Sequence, residues 1–175
     1  MINIRSILQI QAFARLDGVY LAIYWIVSFL STIYLPELGL GGLLALSTPF
    51  FVGWRLVKFR NYALDGVIPL GRAILYCIYV FFCGAFIFSA FQFFYLSLVD
   101  DGKFASMLTS TAIMLDTLSG SKSHEYAKAM SFYTQMPPLA LTSIFMIDEI
   151  ILGLIATPVI ALLCFRRPKQ NTINH

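Results

Sequence analysis

Apolar residues fall along this chain in four long blocks, 16–35, 38–56, 73–99 and 139–165, each with few or no charged positions. An α-helix rises 1.5 Å per residue, so about 20 residues cross a hydrocarbon layer ~30 Å thick. Each block is therefore predicted as a membrane-crossing helix. The first opens at Ala14-Arg15-Leu16-Asp17-Gly18 and closes at Pro36-Glu37. No small-residue cleavage site follows it, so it reads as a retained anchor and not a removable signal peptide. Ahead of it, Ile4, Ile7, Leu8 and Gln11 share one side of a segment that either lies at the interface or extends the helix. Only Pro36 and Glu37 separate the first block from the second, which requires an antiparallel hairpin. The third has no charge from Ala73 to Val99. Roughly 40 Å of helix results, more than the hydrocarbon thickness, so it tilts or protrudes.

Between the third and fourth blocks lies the one sizeable extramembrane element, 100–138. Phe104, Met107, Leu108, Ile113 and Leu115 predict a short helix over 104–118, broken at Gly120. A second helix follows, capped by Ser121 or Ser123 with Glu125 in its first turn, where the helix dipole favours an acid. It ends before Met136-Pro137-Pro138, and the prolines set the approach to the fourth span. Folded over the mouth of the bundle, this loop acts as a cover; a partner-binding or gating loop is the alternative.

The expected class is an all-α integral membrane four-helix bundle with an outer helical loop between the third and fourth spans, one domain over 1–175. Composition agrees. The 175 residues are 59% hydrophobic and 12% charged, and the mean hydropathy is +0.79. Soluble domains carry about 25% charged residues, so this chain cannot cover a globule with polar surface. A net charge of +3 is too small to indicate nucleic acid, and the cations follow topology instead. With the N-terminus cytoplasmic, Arg5, Arg15, Arg55, Lys58, Arg60, Arg72, Arg166, Arg167 and Lys169 fall inside. Lys103, Lys122 and Lys128 fall outside. The positive-inside rule then places both termini in the cytoplasm and the 100–138 loop on the outer side.

Lipid gives helices no hydrophobic reason to associate, so small residues that allow close approach must do it. The candidate packing positions are Gly18, between Ala14 and Ala22; Gly41, Ala45 and Gly53; Gly84; and Gly153 and Thr157, in line with Ala161. Pro49 and Pro158 follow threonines in the second and fourth spans, and each is expected to kink its helix. The aromatics of the third span face lipid or fill between helices.

The sharpest feature is Asp148-Glu149, two acids inside the fourth apolar block. An ionisable group near a span's centre costs about 2.5–3.5 kcal/mol on insertion scales, and it is by default a candidate functional site. The strongly apolar residues from Ile150 to Phe165 return about −0.3 to −0.6 kcal/mol each, so insertion remains favourable. Adjacent helical residues point about 100° apart. Glu149 shares a face with Thr142, Gly153 and Ala156 and should look into the bundle. Asp148 shares one with Leu141, Leu152, Ile155 and Val159 and should reach the outer head groups. Buried without a cation, Glu149 would be carried neutral and donate a hydrogen bond, with Thr32 and Tyr34 as acceptors. Lys122 or Lys128 could fold down to it instead. The plain reading is an interhelical hydrogen bond, or acids that mark where the helix leaves the membrane. The sharper readings are a proton- or cation-linked site and a contact with a partner's cation.

Other chemistry is missing. His124 and His175 have no metal-ligand companion, and no zinc-protease helix, nucleophile elbow or phosphate loop occurs. Cys77, Cys83 and Cys164 lie in apolar blocks as small hydrophobes. Asp100-Asp101 reads as a helix start. No catalytic residue, metal or cofactor is therefore assigned.

The stretch Lys58-Phe59-Arg60-Asn61-Tyr62, then Gly66-Val67-Ile68-Pro69-Leu70-Gly71-Arg72-Ala73, leads into the aromatic third span. Together with Gly18, the Leu118-Ser119-Gly120-Ser121 turn, the prolines before the fourth span, Gly153 and Arg166-Arg167, it resembles a family of small four-helix bacterial membrane proteins of Bacteroidota type, domain-of-unknown-function family 4199. The resemblance spans nearly the whole chain and implies a fold and a location, the bacterial inner membrane with the 100–138 loop periplasmic, but no activity. It also implies a setting beside glycosyltransferases in bacteria with an outer membrane, which points to an accessory role in envelope assembly. Asp148-Glu149 is not part of the family pattern. The expected function is a non-enzymatic accessory or scaffold subunit of the inner membrane. Its partners would be lipids and a second copy or another membrane protein, a glycosyltransferase among the candidates. The alternative is a small proton-linked transporter or lipid-handling protein that uses Glu149.

Overall fold

The computed structural model describes residues 4–119 and 125–166. Gly120, Ser121, Lys122, Ser123, His124, Arg167, Lys169 and His175, on which parts of the sequence reading fall, lie outside them. The helices are α1 Ile4–Tyr34, α2 Leu40–Ala63, α3 Leu70–Leu98, α4 Lys103–Ser119, α5 Glu125–Thr134 and α6 Pro138–Cys164, with a 3-10 turn Pro36–Leu38 between α1 and α2. Four of them, α1, α2, α3 and α6, are long and apolar enough to cross a membrane. Around the bundle the order is α1, α2, α6, α3, so each long helix touches two others along its length.

Two helices run further than apolarity alone predicts. The first was expected from 16 and begins at Ile4; the second was expected to stop at 56 and reaches Ala63. The polar residues of these extensions bond sideways. Gln11 donates to the Tyr79 hydroxyl at 2.8 Å and Gln9 to the Ala63 carbonyl at 3.3 Å. Ile10 and Phe59 are buried in the main core. Arg60 donates to the last α6 carbonyl, Cys164 O, at 2.8 Å. Asp65 and Gly66, both at positive φ, turn the chain so that Ile68 bridges Arg166 by a reciprocal pair of backbone bonds of 3.0 and 3.1 Å. That bridge ties the start of α3 to the end of α6.

Small residues set the seams. A Cβ on Gly18 would meet Cys83 Cβ at 2.6 Å, and one on Gly153 would meet the Phe81 ring at 2.5 Å. These two glycines let α3 approach α1 on one side and α6 on the other. Gly41 lets α1 pass against α2, and Leu21 packs over Gly84. Thr157 is buried and donates back to Gly153 O at 2.7 Å. Gly53 lies beside Cys164 and Ile160. Ala45 departs from the expectation: it is exposed, because α2 and α6 meet near Gly53 and do not close at the level of Ala45. Both α2 and α6 run unbroken through Pro49 and Pro158.

At the opposite end α4 and α5 cover the bundle. Asp100 accepts from Phe104 N at 3.0 Å, which makes it the helix start expected there. Asp116 accepts from Tyr126 N and Ala127 N at 3.2 and 3.1 Å. The first turn of α5 is thus capped from α4 across the connection. Phe104 packs with Ile33, Tyr95 and Leu141. Leu141, on the face assigned to Asp148, is buried because this cover lies on it.

Candidate functional site

Between the main core and the α4 cover lies a cavity of about 450 Å³. Trp25, Ser28, Phe29 and Thr32 of α1 and Phe81, Phe88 and Gln92 of α3 line it, and Phe104 of α4 helps roof it. Ala45, Thr48 and Pro49 of α2 and Asp148, Glu149, Leu152, Gly153 and Ala156 of α6 form its two sides. Of the lining residues, Ala45, Asp148 and Leu152 are exposed, so the opening lies between α2 and α6. Those helices are pinned at their far ends by the contact of Cys164 with Gly53 O and by Arg60. A cleft tapering from the covered end follows.

Hydrogen bonding in the wall is largely internal. Trp25 Nε1 donates to Thr48 Oγ1 at 3.0 Å, Ser28 Oγ to Gly41 O at 2.8 Å and Thr32 Oγ1 to Ser28 O at 2.9 Å. The first two join α1 to α2 and the first fixes the Trp25 ring, while the third stays within α1. Two atoms stand apart. Gln92 Oε1 and Glu149 Oε2 are buried with no hydrogen-bond partner, and both residues line this one cavity. Gln92 is only 4% exposed. Among the described residues no lysine or arginine lines the cavity.

The inward face assigned to Glu149 holds. Glu149 looks into the bundle with Gly153 and Ala156, and Asp148 is exposed at the mouth. The suggested partners do not. Thr32 bonds along its own helix, and the Tyr34 hydroxyl accepts from Tyr95 at 3.1 Å. Lys128 does not reach the bare carboxylate oxygen. Gln92 went unremarked because it is one amide within a span read as a run of aromatics. Its signal was available: an uncharged polar residue in the middle of such a span needs a partner or a ligand.

A second polar cluster holds the other end of the bundle. Asp17 is 3% exposed. Its Oδ1 accepts from Arg55 Nε at 2.7 Å and from Arg55 Nη2, and its Oδ2 accepts from the buried Tyr76 hydroxyl. Arg55 lies over the Tyr20 ring, 4.6 Å from its centroid, and Tyr76 stacks on Phe59. Asp17 and Arg55, taken from sequence as flanking charges, are an interhelical lock joining α1, α2 and α3. Its groups are satisfied by one another, which marks it as architecture. Among the described residues no cluster of three or more metal-ligating side chains forms.

The arrangement can receive hydrogen-bond donors in an apolar, ring-lined chamber. Residues 16–166 match the family described as "Protein of unknown function (DUF4199)". No curated protein and no solved structure matches the chain.

Proposed function

Since this chain belongs to that family, to which no activity is attached, its role is argued from its own geometry, and we propose a non-enzymatic inner-membrane protein that holds an amphipathic, lipid-like molecule in the cleft between α2 and α6. One observation carries this: the two buried side-chain atoms without partners among the described residues, Gln92 Oε1 and Glu149 Oε2, face the same cavity of about 450 Å³. Buried polar atoms in folded proteins are nearly always paired. Two that converge on one space mark where a molecule completes the hydrogen bonding. The mouth between Ala45 and Leu152 admits an apolar tail from the bilayer, and the tapering cleft accommodates it. Of the two readings open at the sequence level, this favours lipid handling over a scaffold.

The distribution of cations supports one orientation. Arg55, Lys58, Arg60, Arg72 and Arg166 gather towards one end of the bundle, and Lys103 and Lys128 lie in the covering helices at the other. The positive-inside rule sets the first end, with both termini, in the cytoplasm and α4 and α5 in the periplasm. Asp148 is exposed, and a charge facing lipid is costly within hydrocarbon. The mouth of the cleft therefore lies at the level of the outer head groups.

The chain has two tryptophans, and Trp25 lines the cavity while Trp54 lies on the surface. In the Trp54→Phe protein, reconstituted with lipids brominated on their tails, Trp25 emission should be strongly quenched. A further Ala45→Phe substitution, which fills the mouth, should remove most of that quenching. Trp25 emission indifferent to brominated tails contradicts the reading.

A scaffold role is favoured by one observation, the exposure of Ala45, a small residue that a second copy or a membrane-protein partner such as a glycosyltransferase would cover. A strictly monomeric species with no co-purifying protein in mild detergent counts against it.

A further inference from the structure

We infer that the molecule in the cleft carries a primary ammonium head group, as an aminophospholipid does. The inference rests on the cleft being an occupied site and adds the chemistry of the occupant.

The two buried polar atoms that the cavity leaves bare are both acceptors. Gln92, only 4% exposed, presents a bare amide oxygen and Glu149 a bare carboxylate oxygen. The wall's clearest donors are already committed within the protein: the Trp25 indole N–H to Thr48, the Ser28 hydroxyl to Gly41 O and the Thr32 hydroxyl to Ser28 O. An occupant that pairs both bare oxygens therefore brings donors. Charge narrows the choice. The lining includes two acids, Asp148 and Glu149, and no cation among the described residues. An anionic head group would meet repulsion there, whereas a cationic one neutralises an acid that nothing in the wall neutralises.

Ring faces supply a third constraint. Trp25, Phe29, Phe88 and Phe104 all line the chamber, with Trp25 and Phe88 centroids 5.7 Å apart and Phe29 and Phe104 5.9 Å apart. Aromatic faces attract ammonium groups of any substitution. Bare acceptors discriminate further, because a trimethylammonium has no N–H to donate and a primary ammonium has three. One N–H to Glu149 and one to Gln92 would satisfy both orphaned oxygens at once. Asp148, exposed at the mouth, would draw the cation in.

The test is lipid selection. The protein is reconstituted in nanodiscs with equal parts phosphatidylethanolamine, phosphatidylcholine and phosphatidylglycerol of matched chains. It is then stripped into mild detergent, and the retained lipid is identified by native mass spectrometry. Retention of phosphatidylethanolamine about tenfold over each of the others is expected, the worth of one charge-assisted hydrogen bond. Glu149→Gln keeps the shape and an acceptor but removes the charge. It should still retain lipid, with the preference over phosphatidylglycerol falling at least fivefold. Gln92→Leu should lower the preference over phosphatidylcholine. Both variants are checked for an unchanged helical spectrum and elution volume. Equal retention of all three lipids, a preference for phosphatidylcholine or phosphatidylglycerol, or a preference that neither variant moves overturns the inference while leaving the cleft a lipid site. No retained lipid of any kind overturns the inference and the proposed function together.

Discussion

Glu149 and Gln92 each lose water on folding without gaining a partner for one oxygen, and leaving a buried polar group unmade costs about 1–3 kcal/mol. Glu149→Leu and Gln92→Leu are therefore expected to raise thermal stability in lipid-free detergent, by about 1 kcal/mol or more each, while lipid retention falls. A loss of stability would mean that these side chains are structural. Asp17 gives the opposite case. Asp17→Ala leaves the Arg55 guanidinium, 15% exposed, without its carboxylate and should cost about 3–5 kcal/mol. Replacing Asp17 and Arg55 together by apolar residues should recover most of it, as a double-mutant cycle in detergent melts would read. The inward face of Glu149 was legible in the sequence, because Gly153 and Ala156 follow it at helical spacing. The lock was not. Pairing Asp17 with Arg55 depends on the stagger between α1 and α2, and pairing it with Tyr76 depends on which face α3 turns inward. Neither is written in either residue's neighbourhood.

Among the helices, close approach decides stability. A side chain on Gly153 meets the Phe81 ring, and one on Gly42 meets nothing within 4 Å. Gly153→Leu should thus destabilise by about 1–3 kcal/mol or more, and Gly42→Leu should be neutral or slightly stabilising because leucine favours helix. Equal effects in a denaturation series would remove the argument that small residues set the seams. In the cover, Asp116→Ala removes the acceptor for two α5 amides and should cost about 1 kcal/mol. Faster hydrogen exchange confined to the start of α5 would report it. Which elements exist could be read from hydropathy, since hydrocarbon demands apolar runs of a known length. Where they end could not. Beyond the hydrocarbon, α1 and α2 continue because Gln9, Gln11 and Arg60 find partners on neighbouring helices, and hydropathy carries no trace of those partners.

The molecule as a whole is a four-helix bundle held firmly at one end and opened at the other. The Asp17 lock, the Arg60 contact and the Ile68–Arg166 bridge gather at the first end; the cleft and its helical cover occupy the second. Reporter fusions in the turn at Asp65 should read cytoplasmic and those in α5 periplasmic, and the reverse pattern would invert the account of which leaflet supplies the occupant. The central claim is that the cleft is filled by a lipid-like molecule. A density map of the protein in lipid nanodiscs addresses that most directly. Elongated density should enter between Ala45 and Leu152 and end in a head group within hydrogen-bond distance of Glu149 and Gln92. A cleft closed by α2 against α6, with the Glu149 carboxyl bonded to a neighbouring helix, would contradict it.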